Sequence, residues 1–296
     1  MSNRSDNNIY AIHDVEEHLI RSRFIDQTYR IKVKRPMSRA DATDRFPVLY
    51  VTDSDDLFGG VATLANILQA HGETPRFILV GIGYAEVGAA GVLRMRDYYS
   101  HADRTLFQTE IERVARSSFV TGVPDLGALW TTDASEFLRF IREELMPFVS
   151  ARYSVVEGDN SYFGYSAGAA FGLHTLFTEP HTFRRYVLGS PSTSYGGRNF
   201  AIPKAEAYAN SSQRMDVKVF MCVGELEELK PQLRQFDLVS GYYQLAKFLK
   251  GAKIPGLDLT LKVFPEETHA TAWAPAFGHG LRALFGPAGQ VPFWPG

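Results

Sequence analysis

The stretch Ser161-Tyr162-Phe163-Gly164-Tyr165-Ser166-Ala167-Gly168-Ala169-Ala170-Phe171-Gly172-Leu173-His174 decides how this chain is read. Its centre matches the pattern G-x-S-x-G. That pattern holds a serine on a sharp strand-to-helix turn, so that the hydroxyl stands clear and the next backbone N–H faces the same space. The pattern alone is weak, because about one chain in ten of this length would carry it by chance at ordinary glycine and serine frequencies. Context strengthens it: Ser161-Tyr162-Phe163 reads as a strand, and Ala169 to His174 as a helix packed tightly against something. Strand, turn and helix are all in place.

Outward from the turn, strand-like and helix-like segments alternate, which predicts an α/β layered fold. Tyr29-Arg30-Ile31-Lys32-Val33 alternates with period two and reads as a strand with one solvated face. Pro47-Val48-Leu49-Tyr50-Val51 and Phe77-Ile78-Leu79-Val80-Gly81-Ile82 are near-continuous apolar runs, expected of strands covered on both faces. Residues 61–68 between them have helical spacing. A helix over 133–149 places Phe137, Phe140, Ile141, Leu145 and Phe148 on one stripe, with Asp133 as its N-cap. Further strands are expected at 185–188, 217–223 and 257–263, and a last helix through Leu281 to Leu284. The fold class is α/β: a mostly parallel central sheet with helices on both faces, of the α/β-hydrolase type that hosts such a serine turn. One domain covers residues 1–296. The segment from about 84 to 130, punctuated by Gly88, Gly91, Gly122, Pro124 and Gly127, reads as irregular and as a lid or binding segment.

Serine is a poor nucleophile and needs an adjacent base, usually a histidine oriented by a carboxylate. In this fold the order along the chain is serine, acid, histidine. Three histidines follow the turn. His181 comes too early, and His279 begins a helix and reads as a cap or surface residue. His269, in the loop after the last strand, is the expected base. The acid should follow the strand before it, where Gly224-Glu225-Leu226-Glu227-Glu228 offers three carboxylates. On residue type alone the three stay open. The oxyanion needs two backbone donors. One is the N–H of Ala167. The other should come from Thr52-Asp53-Ser54-Asp55, whose acids are expected to turn away from the developing charge and be hydrogen-bonded.

These pieces together resemble the putative-esterase branch of the α/β-hydrolases, which includes enterochelin (siderophore) esterases, feruloyl esterases, esterase D and mycolyltransferases. Pro47-Val48-Leu49-Tyr50-Val51-Thr52-Asp53 is similar to that family's entry into the oxyanion loop. Gly81-Ile82-Gly83-Tyr84, with Arg94, Arg96, Asp97 and Tyr98 after it, is similar to a signature of its siderophore-esterase members. Phe137 to Pro147, Ser190-Pro191-Ser192, Gly224-x-x-Glu227, and His269 with Trp273 and Pro275 follow in the family's order. The resemblance implies a serine carboxylic ester hydrolase working through an acyl-enzyme, and it selects Glu227 as the acid. Where the family usually has glycine after the oxyanion-loop aspartate, this chain has Ser54, so the second donor is Ser54 or Asp55. The chain also has Tyr98-Tyr99-Ser100 where the family favours Y-T-P. Arginine suits bidentate contact with oxygen-rich groups. Arg94 and Arg96, with Tyr165 beside the serine, are therefore expected to bind substrate, one arginine alternatively pairing with Asp97 or Asp103.

Composition bounds the remaining classes. Of 296 residues, 31 are Lys or Arg against 33 Asp or Glu, giving a net charge of -2 and no basic stripe that would track a nucleic acid. The expected partner is a small-molecule ester; homo-oligomerisation is left open. No apolar run is long enough to span a membrane. The polar start Met1 to Asn8 has no apolar core of a leader, which gives the expectation of a cytoplasmic protein. No cofactor and no metal is expected. His13-Asp14-Val15-Glu16-Glu17-His18 has ligand-type residues without a metal spacing and reads as a solvated charged face. The single cysteine, Cys222, sits in an apolar run and reads as buried. Two alternatives to ester hydrolysis remain: acyl transfer from the same acyl-enzyme to another alcohol, and a non-catalytic binding protein on a hydrolase scaffold.

Overall fold

The computed structural model describes residues 12–36, 44–106, 108–116, 127, 131–195 and 197–286. The chain enters through β1 (Val15–Arg21) and β2 (Thr28–Lys34), an antiparallel pair. β3 (Phe46–Val51), helix α1 (Ser54–Ala70) and β4 (Ile78–Tyr84) form the first parallel crossover. Three helices follow: α2 (Ala90–Tyr98), the single-turn α3 (His101–Arg104) and α4 (Gln108–Ala115). α5 (Ala134–Phe140) runs through a π-helical turn at Ile141–Leu145 into α6 (Met146–Arg152). Next come β5 (Val155–Tyr165), α7 (Ala167–Thr178) and β6 (Arg185–Gly189). A small pair, β7 (Ser194–Tyr195) and β8 (Arg198–Asn199), precedes α8 (Ala201–Asn210). β9 (Val217–Gly224), α9 (Leu238–Ala252), β10 (Leu257–Phe264) and α10 (Trp273–Phe285) complete the described chain.

Eight strands form one sheet in the order β1-β2-β4-β3-β5-β6-β9-β10. β2 runs antiparallel to β1 and β4, and every pairing from β4 to β10 is parallel. This is the mostly parallel α/β sheet expected from the sequence. α1 and α10 cover one face, packing Phe58, Val61, Phe277 and Leu281 on Phe163, Val187 and Phe220. The opposite face is covered by α2, α5, α7 and α9, whose Val92, Phe137, Phe171 and Leu245 join Tyr162, Tyr186 and Leu188 in the larger cluster. β4 lies on one side of β3 and β5 on the other. The chain therefore switches direction across the sheet between β3 and β5, and it is beyond the carboxyl ends of strands at such a switch that open α/β sheets bind ligands. Both Ser166 and the 52–55 loop leave the sheet there. Among the described residues, no helix is long and apolar enough to cross a membrane.

Asp133 caps α5 as expected, accepting from the Ser135 N–H while Glu136 accepts from the Asp133 N–H. Cys222 is buried in β9, as expected. The reading of 84–130 as irregular is corrected: α2, α3 and α4 occupy much of it, and residues 117–126 and 128–130 lie outside the described residues. α2 escaped detection because its buried face carries Val92 and Leu93 together with Arg96 and Asp97. Arg96 Nε lies 2.6 Å from Asp97 Oδ1, and the Tyr29 and Tyr84 hydroxyls donate to Asp97 Oδ2 at 2.8 and 3.0 Å. A buried pair satisfied this way is tolerated in a core, but it breaks the apolar periodicity that betrays a helix. The charged stretch His13–His18 runs into β1, an edge strand of the sheet: Glu17 faces outward, whereas Glu16 and His18 are half-buried against the Tyr153 hydroxyl at 2.9 and 2.8 Å.

One buried group sets a pH limit on the fold. His174 on α7 is 6 % exposed, and among the described residues neither ring nitrogen has a hydrogen-bond partner. Burial, helped by the Lys204 charge, lowers its pKa from 6.5 to about 4. The unfolded chain thus takes up a proton on this ring at a pH where the folded chain does not. Stability falls as pH drops through the window from 6.5 to about 4, by roughly 3 kcal/mol across it, and then levels off. His174→Leu should flatten the difference in unfolding free energy between pH 7 and pH 4 relative to wild type, read by urea titration. Identical pH slopes for the two proteins would exclude the ring as the source.

Candidate active site

Ser166 stands between β5 and α7 with φ 57° and ψ -119°, a backbone conformation L-residues rarely adopt. The flanking glycines allow it. A Cβ on Gly164 would overlap the Gly168 carbonyl, and one on Gly168 would sit 2.5 Å from Thr52 Oγ1 and 2.9 Å from Asp53 Oδ2. The Tyr162 hydroxyl donates to the Gly168 carbonyl at 2.6 Å and lies 3.0 Å from Thr52 Oγ1. These contacts lock the serine turn to the loop after β3.

The loop after β10 brings His269 over the serine. It is tied to the end of β9 by Glu225 N–H to the Phe264 carbonyl and by Leu226 N–H to the Glu267 carbonyl, both 2.9 Å. His269 Nε2 lies 3.0 Å from Ser166 Oγ, and its Nδ1 lies 2.6 Å from Glu227 Oε2. Across 103 residues of chain the fold thus assembles serine, imidazole and carboxylate in line. An imidazole so placed can take the Ser166 proton at Nε2 while the carboxylate fixes Nδ1–H and favours the charged ring.

The three glutamates have three different partners. Glu227, 1 % exposed, is the one that meets His269. Glu228 accepts from the Val239 and Ser240 N–H groups at 2.7 and 2.9 Å, covering the first turn of α9. Glu225 accepts from the Glu266 N–H at 3.1 Å and steadies the His269 loop. Glu225 is exposed and Glu228 half-buried; helix and loop N–H groups need acceptors, and these carboxylates supply them. His279 is elsewhere, with Nδ1 3.0 Å from Lys262 Nζ. His181 lies in the exposed turn after α7.

Two helix N-termini converge on the serine. Ala167 begins α7, and Ser54 begins α1 with Asp55 next, so their N–H groups lie in first turns that have no carbonyl acceptor inside the helix. Asp53, at φ 56°, makes the left-handed turn that starts α1. The two acids are turned to other partners, as expected. Asp53 takes a fork from Arg94, with Nε to Oδ1 at 2.7 Å and Nη2 to Oδ2 at 2.9 Å. Asp55 accepts from the Tyr84 N–H at 2.8 Å and stands 3.6 Å from Lys32. The Tyr98 hydroxyl accepts from the Asp53 N–H at 3.2 Å.

The three residues expected to hold substrate all have protein partners. Arg94 is committed to Asp53, and its guanidinium also lies 5.5 Å from the centre of the Tyr98 ring. Arg96 is 5 % exposed and spends Nε and Nη2 on Asp97 and Gln27. It pairs with Asp97, the alternative the sequence allowed. The Tyr165 side chain is 7 % exposed, donates to the His269 carbonyl at 2.8 Å and packs its ring 5.1 Å from the imidazole. The sequence reading missed Ser190, which touches Glu227. Among the described residues no group of three or more His, Cys, Asp or Glu could hold a metal ion.

The family model "Putative esterase" matches residues 128–284, which include Ser166, Glu227 and His269. Ferri-bacillibactin esterase BesA of Bacillus subtilis (strain 168) is 27% identical over 237 residues, covering 77% of this chain and 75% of BesA. Siderophore hydrolase EstB from Aspergillus nidulans superposes with a TM-score of 0.74 at 20% identity, covering 96% of this chain and 98% of EstB. The BES protein from Bacillus cereus gives 0.72 at 23% identity, covering 95% and 98%. With the matched region spanning more than half of the 296 residues and the sheet shared along nearly the whole chain, this protein belongs to the putative esterase family and is a serine esterase of the α/β-hydrolase fold.

Proposed function

We propose that the chain hydrolyses the ester bonds of a siderophore, an oxygen-rich iron-chelating ester, through an acyl-enzyme on Ser166. The observation that carries the mechanism is the unbroken line Glu227–His269–Ser166, with 2.6 and 3.0 Å contacts. Relatives described as esterases of bacillibactin, enterobactin and triacetylfusarinine C support the substrate class. Ser166 Oγ attacks the ester carbonyl carbon as His269 Nε2 takes its proton. The carbonyl oxygen gains the negative charge and is met by the N–H of Ala167 and by that of Ser54 or Asp55. Collapse expels the alcohol, which leaves with the proton from His269. Water then repeats the sequence, releasing the acid and restoring Ser166.

Arg94 acts in this reading through Asp53 instead of on substrate. The fork fixes the left-handed Asp53 from which the α1 donors start, and it offsets the negative charge of that acid. Removing a whole donor costs about 10²- to 10³-fold in kcat. Loosening the loop with Arg94→Ala should therefore lower kcat by about tenfold or more and leave KM within about twofold. A raised KM at unchanged kcat would return Arg94 to direct substrate contact.

The test of the function is product analysis by mass spectrometry after incubation with triscatecholate lactones and hydroxamate esters, each iron-free and iron-loaded, beside simple aryl esters. Ring-opened or shortened siderophores are the expected products. Cleavage of aryl esters alone would overturn the substrate class while leaving the esterase chemistry intact.

A further inference from the structure

Two side chains outside the serine–imidazole–carboxylate line meet it at its buried end. Glu227 Oε2 is occupied by His269, and Oε1 accepts two more hydrogen bonds, from the Gly224 N–H at 2.6 Å and from Ser190 Oγ at 2.5 Å. The Glu227 side chain is fully buried, so no solvent shares this work. Ser190 Oγ also lies 3.2 Å from the Tyr165 hydroxyl, which donates to the His269 carbonyl at 2.8 Å. Each hydroxyl has one proton. The shorter contact and the charged acceptor claim that of Ser190 for Glu227, and the His269 carbonyl claims that of Tyr165. Burial, together with the Glu227 charge, pushes the Tyr165 hydroxyl upward, so it stays a donor throughout the working range.

The backbone of Ser190 is shaped for this contact. It has φ 48°, unusual for a non-glycine residue and more so before Pro191, where the extended region is favoured. Its N–H is held by the Cys222 carbonyl at 2.8 Å, so β9 anchors the loop after β6. A serine kept in the left-handed region, with its only proton on a buried carboxylate, is explained by that carboxylate.

We infer that Ser190 and Tyr165 are positioning residues of the acid–base pair: Ser190 holds the Glu227 carboxylate in the rotamer that meets His269 Nδ1, and Tyr165 holds the His269 backbone and ring face. This rests on the proposed roles of Ser166, His269 and Glu227. With Ser190 truncated, Oε1 keeps one fixed donor, and the carboxylate is free to swing about it and lengthen its bond to His269. A misheld acid slows proton transfer in both half-reactions while leaving the substrate pocket untouched.

The experiment compares Ser190→Ala, Ser190→Gly and Tyr165→Phe with wild type. The readouts are kcat, KM, the rate of inactivation by a fluorophosphonate, and the melting temperature. Loss of a hydrogen bond to a buried charge predicts kcat and inactivation rate down by about 10- to 100-fold in both Ser190 variants, with KM within about twofold. Tyr165→Phe should lose less, about three- to tenfold, because its acceptor is a neutral carbonyl. Glycine suits φ 48° better than alanine. If Ser190→Gly recovers wild-type kcat while Ser190→Ala does not, backbone strain is the cause and the positioning role falls. Full rates in both Ser190 variants would also overturn it. A wild type that neither labels nor cleaves any ester would instead defeat the underlying mechanism, so the two failures are distinguishable.

Discussion

Ser166→Ala should abolish covalent labelling by a fluorophosphonate and lower ester turnover by about 10⁴- to 10⁶-fold, to what backbone donors and binding alone provide. The size follows from the chemistry. Among the described residues no other hydroxyl lies at hydrogen-bond distance from His269 Nε2, so nothing there replaces the lost nucleophile. The fold should survive the change. Ser166 Oγ has His269 as its hydrogen-bond partner and the residue is only partly buried, so truncation orphans no deeply buried group. Alanine meets the same strain at φ 57° that serine does, so the turn is neither relieved nor worsened. The measurement is intact mass after probe exposure, with melting temperature as the control. One adduct on wild type and none on the variant is the expected result. An adduct persisting on Ser166→Ala would place the activated nucleophile elsewhere and dismantle the site as described.

Much of this site was legible in the sequence because the chemistry constrains both residue type and chain order. The serine turn needs small neighbours at fixed offsets, and the strand–turn–helix context around Ser166 is local. The base could be reached by elimination among three histidines once chain order was imposed. What stayed hidden depends on contacts between distant segments. Arg94 reaches back 41 residues to Asp53, and nothing in the spacing of 94–98 distinguishes that pairing from contact with a ligand. Ser190 meets Glu227 across 37 residues through the end of β9. The roles of Glu225 and Glu228 could not be separated from that of Glu227 by composition, since each meets a different N–H or ring nitrogen only after the loops fold. The helix over 90–98 was concealed by its own chemistry: the buried Arg96–Asp97 pair satisfies itself and two tyrosine hydroxyls in the core, so polarity no longer marked the outside.

Glu227→Gln should reduce kcat by about 10⁴-fold at neutral pH while leaving the structure nearly unchanged, the size known for the equivalent change in a serine protease. The orientation of the new amide decides the outcome. Its two polar ends must face His269 Nδ1 on one side and the Gly224 N–H with Ser190 Oγ on the other. The Gly224 N–H is a fixed donor and cannot rotate, so the amide oxygen is drawn there and the NH₂ turns toward His269. Nδ1 must then accept, which moves the ring proton to Nε2, the atom that should receive the Ser166 proton. The imidazole becomes a donor to the serine and cannot act as its base. The glutamine also provides no charge to stabilise the imidazolium. Glu225→Gln and Glu228→Gln are the controls: their partners are loop and helix N–H groups, which a glutamine oxygen can still serve, so kcat should stay within about threefold. A Glu227→Gln enzyme with near wild-type kcat would mean that Ser166 and His269 work as a dyad. A large loss in either control instead would move the acid to that residue.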